Sequence, residues 1–171
     1  MILFRKLKLI VELGSNARIL MDKTDHKILS LLQKNARIPN TEIAREIGMV
    51  PSGVLERIKK LEQNGHIMEY AARVRPESLN LDLLAFVFVR ANEPAGNIDT
   101  AKKLAEFPEI LEVHHVAGED CYLLKIRLKD NRSLAVFMRE RINTIPTIIS
   151  TRTVIALETI KESSKLCVTG G

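Results

Sequence analysis

The chain is short of the residues that build redox, metal and nucleophilic chemistry. It has two cysteines, Cys121 and Cys167, with no C-x-x-C spacing, so nothing suggests a disulfide framework and a reducing cytoplasm is the expected compartment. Two of its four histidines, His114 and His115, are adjacent. Neighbouring residues of a strand point to opposite faces, so that pair is a poor start for a metal site. His26 and His66 stand alone. There is no Ser-His-Asp constellation and no Gly-rich phosphate loop, so no cofactor, metal or catalytic residue is expected. No apolar run approaches the ~20 residues needed to span a bilayer, and no membrane partner is expected. The opening stretch, residues 1–20, has an apolar run (Leu9 to Val11) that Glu12 breaks too early for a secretory signal. Met21-Asp22-Lys23-Thr24-Asp25 looks like a proper beginning, so residues 1–20 are read as an N-terminal extension or an upstream misreading of the start codon.

What is present is an uneven charge. The 171 residues suit one large or two small domains, and the net charge is +5. Residues 1–75 hold 14 Lys and Arg against 8 Asp and Glu, whereas residues 76–171 hold 12 against 13. A basic half joined to a near-neutral half implies one module facing a polyanion and a second with different work.

The basic half reads as three helices. Asp22 or Thr24 caps the first, and Ile28, Leu29, Leu31 and Leu32 give it an apolar stripe ending near Asn35. Asn40 is the expected cap of a short second helix carrying Ile43, Ala44 and Ile47, which Gly48 stops. Pro51 opens a third, at the position where a missing N–H costs nothing. Its expected inward face is Val54, Leu55, Ile58 and Leu61. The arrangement is a helix-turn-helix, whose last helix enters the DNA major groove at its N-terminal end. Ser52 and Gly53 are small enough to let bases approach, and Arg57, one turn deeper, has the fork that matches guanine O6 and N7. Lys59 and Lys60 are expected on phosphates. Glu56 either accepts from a cytosine amino group or pairs with Lys60 at i,i+4. Arg37, in the connector ahead of the second helix, completes the candidate DNA-contact set.

Across residues 25–70 the motifs D-x-x-I-L, L-Q-x-x-x-R-I, E-I-A-x-x-I-G, P-S-x-V-L-E-R-I-K-x-L-E and G-x-I follow in order. This run resembles the DNA-binding domain of the Lrp/AsnC (leucine-responsive regulatory protein) family of transcription regulators. Such sequences usually carry a capping Ser just before the proline. Here Val50 stands there and cannot cap, a difference of ~1 kcal/mol.

The second half reads as a βαββαβ module. Ile67 to Arg75 is expected as a strand leaving the helical domain, with a hinge near Pro76. Strands are expected at Leu83–Arg90, Leu111–Val116, Tyr122–Leu128 and Ile148–Ile160, and helices at Ile98–Phe107 and Asn131–Asn143. The first of these helices turns Ile98, Ala101, Leu104 and Ala105 to one face, and the second buries Leu134, Phe137, Met138 and Ile142. That order is the ferredoxin-like split arrangement: an antiparallel sheet with both helices on one face and an open face apolar enough to want a partner. The stretches V-x-G-E-D-C-Y-L-L-K at 116–125 and T-R-T-V-I-A-L-E at 151–158 look like the effector-binding and assembly domain of the same family. The resemblance implies dimers, often four in a ring, and an amino acid or related metabolite bound near Val116, Ala117, Gly118, Glu119, Asp120 and Cys121. Many relatives carry Asp where Cys121 stands.

The expected class is therefore α+β: an N-terminal three-helix, winged helix-turn-helix-type domain at 21–66, a strand and hinge at 67–82, a ferredoxin-like βαββαβ domain at 83–162 and a tail at 163–171. The expected function is DNA-binding regulation of transcription by a homodimer or octamer that answers to a small-molecule effector, not enzymatic activity. Two alternatives stay open from sequence. One is a decarboxylase of sirohaem metabolism on a similar two-domain architecture, with His114 or His115 as its working residue. The other is a metabolite-binding assembly module that no longer binds DNA.

Overall fold

The computed structural model describes residues 21–168. The extension expected at 1–20 and the last residues of the tail lie outside the described residues. Contacts divide the chain into two units, with breaks after Ala72 and after Glu162.

The helical unit contains α1 (Lys23–Lys34), α2 (Asn40–Ile47) and α3 (Pro51–Gln63). Helix α1 starts on a reciprocal capping box: the Asp25 N–H donates to Asp22 Oδ1 at 2.8 Å, and the Asp22 N–H to Asp25 Oδ2 at 3.2 Å. Helix α2 departs from expectation at its start. Pro39 takes the cap position in extended conformation and its carbonyl accepts from the Glu42 and Ile43 N–H groups, so Asn40 is already helical and caps nothing. Gly48 ends α2 at φ 71°, in the left-handed region. Helix α3 has Val50 at its cap, with no side-chain hydrogen bond. Ile28, Ile43, Ala44, Val54, Ile58 and Leu61 form the core. Leu55, expected inward, is 43% exposed, because at about 100° per residue it sits a quarter-turn from Val54.

The strand expected at Ile67–Arg75 does not form: the chain is irregular there, with Met68, Tyr70 and Val74 exposed. A strand needs a neighbour to take its N–H and C=O groups, and no ladder partner for this segment occurs among the described residues. Tyr70 is tied instead to Glu62, its hydroxyl donating at 3.0 Å. Partial desolvation of the half-exposed ring and that bond push its pKa up to about 12. In the tail, the Gln33 side chain brackets the Leu166 backbone, accepting from its N–H at 2.6 Å and donating to its carbonyl at 3.2 Å.

The second unit is built of β1 (Leu83–Ala91), α4 (Asp99–Leu104), β2 (Ile110–His115), β3 (Tyr122–Leu128), α5 (Asn131–Glu140) and β4 (Ile148–Ile155). The strands are ordered β2-β3-β1-β4, all antiparallel, with Val87 opposite both Leu124 and Thr153. Ala85, Val87 and Val89 of β1 and Tyr122, Leu124, Ile126 and Leu128 of β3 pack with Leu104 of α4 and Leu134 and Phe137 of α5, so both helices cover one face. Helix α4 is shorter than expected; Ile98, at its cap, is 42% exposed rather than inward, and Ala105, beyond its end, is exposed too. Helix α5 ends at Glu140 and a 3-10 turn, Ile142–Thr144, buries Ile142. Strand β4 stops at Ile155. The Ala156 N–H still donates to the Leu84 carbonyl and Leu157, opposite Leu83 in that register, is fully exposed, while residues 158–160 of the expected strand would lie beyond the start of β1.

The open face of the sheet is less apolar than expected. Leu84, Phe86, Phe88 and Leu123 share it with Lys125 and Arg127, whose side chains are only 14% and 9% exposed. Glu162 gathers Lys125, Arg127 and Arg73, and Lys125 also reaches Glu112 at 2.9 Å. The Arg152 guanidinium lies over the Phe88 ring, 3.9 Å from its centre.

Candidate nucleic-acid interface and effector loop

Helix α3 turns Val54, Ile58 and Leu61 into the core, so geometry places Ser52, Glu56, Lys59 and Gln63 on the opposite, exposed edge with Lys60 beside them. Lys60 Nζ lies 2.9 Å from Glu56 Oε1, which realises the i,i+4 pair and, through that bond, holds the Glu56 carboxyl below its ordinary pKa. Lys59 and Ser52 are exposed. Arg37 is exposed in the α1–α2 connector, its N–H held by Asn35 Oδ1 at 3.0 Å.

Gly53 and Arg57 lie on the flank of α3 that faces the start of α1, not on the outer edge. A Cβ at Gly53 would sit 3.1 Å from Met49 Cε, so the missing side chain there makes room for Met49. Arg57 departs most from expectation. Its Nη1 donates to Asp22 Oδ2 at 2.7 Å and to Asp25 Oδ1 at 2.8 Å, which engages the guanidinium within its own domain. The two acids raise the Arg57 pKa. The Asp22 carboxyl is lowered, first by the Asp25 N–H and then by Arg57. Met21, Met49, Gly53, Arg57, Leu61 and His66 are among the residues around a cleft of about 340 Å³ on this flank. Sequence reasoning missed Asp22 and Asp25 as partners of Arg57, and a separation of 32 to 35 residues leaves no periodic signal for them.

The loop expected to take an effector joins β2 to β3. The Val116 N–H donates to the Cys121 carbonyl at 3.0 Å, and the Cys121 N–H reaches across to the Val89 carbonyl at 2.9 Å. Gly118 has φ 147°, a conformation that L side chains rarely adopt. Cys121 is half-buried, its Sγ 3.4 Å from both the N and the O of Ala91. Val116 is half-buried, Ala117 and Glu119 are exposed, and Asp120 pairs with Arg152 at 3.3 Å. Behind the loop the Tyr122 hydroxyl donates to Glu93 Oε2 at 2.6 Å, while Glu93 Oε1 accepts the Thr100 N–H at 2.8 Å. The buried Thr100 hydroxyl meets that of Thr147 at 2.6 Å. His114 pairs with Glu112 at 3.1 Å, whereas the His115 ring lies 5.3 Å from that of Tyr122, so the two imidazoles serve different neighbours.

Residues 21–68 match the family described as winged helix-turn-helix DNA-binding, and residues 84–166 match the Lrp/AsnC ligand binding domain. The HTH-type transcriptional regulator FL11 of Pyrococcus horikoshii is 37% identical over 150 residues, covering 87% of this chain and 97% of that protein. The leucine-responsive regulatory protein of Escherichia coli K12 is 36% identical over 152 residues, covering 86% and 92%. Among solved structures, a Neisseria meningitidis transcriptional regulator in complex with L-methionine aligns with TM-score 0.76 at 32% identity, over 86% of this chain and 96% of that one. The feast or famine regulatory protein of M. tuberculosis, complexed with L-methionine, aligns with TM-score 0.79 at 29% identity, over 86% and 99%.

Proposed function

The chain belongs to the Lrp/AsnC family of transcription regulators, and from that premise we propose that it binds double-stranded DNA through the outer edge of α3 and takes an amino acid as effector at the 116–121 loop. The observation that carries the first part is the exposed edge Ser52, Glu56, Lys59, Lys60 on a helix that Pro51 opens and Gly48 sets at a turn. Small residues lead into the groove, and the lysines further along face the phosphates. Arg37 adds charge from the neighbouring connector. Two such helices in a dimer meet successive major grooves, so half-sites lie about one helical turn apart and are roughly palindromic.

The effector reading rests on the loop's own chemistry and on the methionine complexes of two relatives. Gly118 opens backbone groups, while Asp120 and Arg152 present opposite charges side by side, the pattern that an α-ammonium and an α-carboxylate require. Val116, Ala117, Glu119 and Cys121 complete the loop. The protein works in the cytoplasm as a homodimer or octamer, which the exposed apolar residues Met68, Val74, Ile149 and Leu157 favour.

Three measurements test this. Duplexes selected by the protein from a random pool should share a palindromic core, and affinity should fall steeply with salt as phosphates are neutralised. Calorimetry with L-methionine and L-leucine should detect binding that Asp120→Ala weakens. Sedimentation should find an oligomer. A protein that ignores duplex DNA in dilute buffer overturns the proposal.

A further inference from the structure

Among the described helices of the helical unit, α2 and α3 have no side-chain cap, whereas α1 has one, made of Asp22 and Asp25. Those two carboxylates are also the groups that hold Arg57. One cluster thus closes the start of α1 and fastens the second turn of α3 to it. The side chains of Arg57, Asp25 and Asp22 are 32%, 17% and 51% exposed, so the Arg57–Asp25 arm of the clamp is partly shielded from solvent, unlike the Glu56–Lys60 pair at 69% and 65%.

Resting on the DNA-binding reading above, we propose that Arg57 is a positioning residue: clamped by Asp22 and Asp25, it fixes the angle at which α3 presents Ser52, Glu56 and Lys59, and it does not itself touch DNA. Three observations support this. The guanidinium is satisfied by two charge-assisted bonds that would have to break before it could grip guanine. Its flank of the helix is shared with Gly53, whose missing side chain is filled by Met49 of the domain itself. Finally, α3 has no cap to set its entry, so the clamp supplies a constraint that Val50 cannot. A helix loosened by a few degrees still offers its lysines to phosphates, but its edge no longer meets base edges in register.

The test uses the full chain, a duplex that the wild type selects from a random pool, and a random duplex of equal length. Anisotropy titrations across about 50 to 200 mM salt give selectivity and the salt slope for each variant. The variants are Arg57→Ala, Arg57→Lys, the pair Asp22→Asn with Asp25→Asn, and all three sites together as Arg57→Ala/Asp22→Asn/Asp25→Asn. Asparagine at position 22 keeps a capping oxygen and removes only the charge. The expected result is a loss of selectivity of about tenfold in Arg57→Ala and in the double Asn variant alike, with no further loss when they are combined. Random-duplex affinity and the slope of Arg57→Ala stay as in the wild type. Arg57→Lys loses selectivity too: one nitrogen, Nη1, bridges both acids, and the lysine side chain ends a bond short of that position. Should Arg57→Ala fail to fold in a thermal scan, Arg57→Lys and the Asn pair carry the same comparison. The idea is overturned if Arg57→Ala lowers the salt slope by about one ion, which places Arg57 on DNA, or if the Asn pair binds the selected duplex as selectively as the wild type, which shows that the clamp does not set selectivity. Failure of the wild type to bind any duplex refutes the underlying function instead, so the two failures are separable.

Discussion

Replacing Tyr122 with Phe removes one oxygen from the bond behind the effector loop and leaves the ring in place. The ring is 1% exposed and its hydroxyl donates to Glu93 at 2.6 Å. A hydrogen bond to a charged partner contributes about 1.5–3 kcal/mol, and because Glu93 is only partly buried, water recovers some of this, leaving about 1–2 kcal/mol. For a unit the size of Arg73–Glu162 that corresponds to a fall in Tm of about 4–16 °C at neutral pH. The pH profile makes the prediction specific. Burial works against ionisation of Glu93, but the Tyr122 hydroxyl and Thr100 outweigh it and lower its pKa, so its contribution is present above the unfolded carboxylate value and fades as pH falls through the folded one. Burial, then Glu93, pushes Tyr122 up to about 12, so its contribution is present below pH 10 and is lost as pH rises toward 12. The gap between wild type and Tyr122→Phe should therefore be widest near neutrality and narrow at both extremes. Circular dichroism melts at a series of pH values measure it. A Tm gap that stays constant from acid to alkali, or a variant as stable as the wild type at pH 7, refutes the reasoning.

Ile43 is fully buried in a core of six residues, so Ile43→Ala should cost about 2–5 kcal/mol and move the helical transition to lower denaturant while the sheet transition stays put. Joint movement of both transitions would count against two separate cores. At Gly48 nothing lies within 4 Å of an added Cβ, so Gly48→Ala should lose about 1–2 kcal/mol from its left-handed backbone alone, and Gly48→Asn should recover part of it in the same denaturation assay. Val50 has the extended φ and ψ of −83° and 146° that a capping residue adopts, so Val50→Ser should raise the Tm of the helical unit, by about 0.5–2 kcal/mol of added stability.

Where local pattern decides the outcome, the sequence was sufficient. The alternation Tyr122, Leu124, Ile126, Leu128 is the buried face of β3, and Pro51 and Gly48 stand where α3 opens and α2 closes. It misled where the deciding neighbour is distant or missing. Ile67–Arg75 has strand-like composition but no ladder partner among the described residues, and residues 158–160, expected in β4, would lie beyond the start of β1 at Leu83. Leu55 is apolar, but the turn angle puts it outside. The α3 edge and its Glu56–Lys60 pair are local and legible. The Arg57 clamp and the Met49 contact with Gly53 are tertiary, and no spacing rule announces them.

The most apolar segment of the sheet, β1, is made first and sits in the middle. Its two neighbours in the ladder follow much later along the chain, Leu83 opposite Leu128 and Ala85 opposite Ile155. During translation at about 5–20 residues per second, Leu-Leu-Ala-Phe-Val-Phe-Val emerges roughly 2–7 s before Tyr122 opens β3, the first flank to cover it. Nascent chains of this protein thus pass through an interval in which a sticky strand is bare on both sides, and overproduction faster than chaperones can shield it should send them to inclusion bodies.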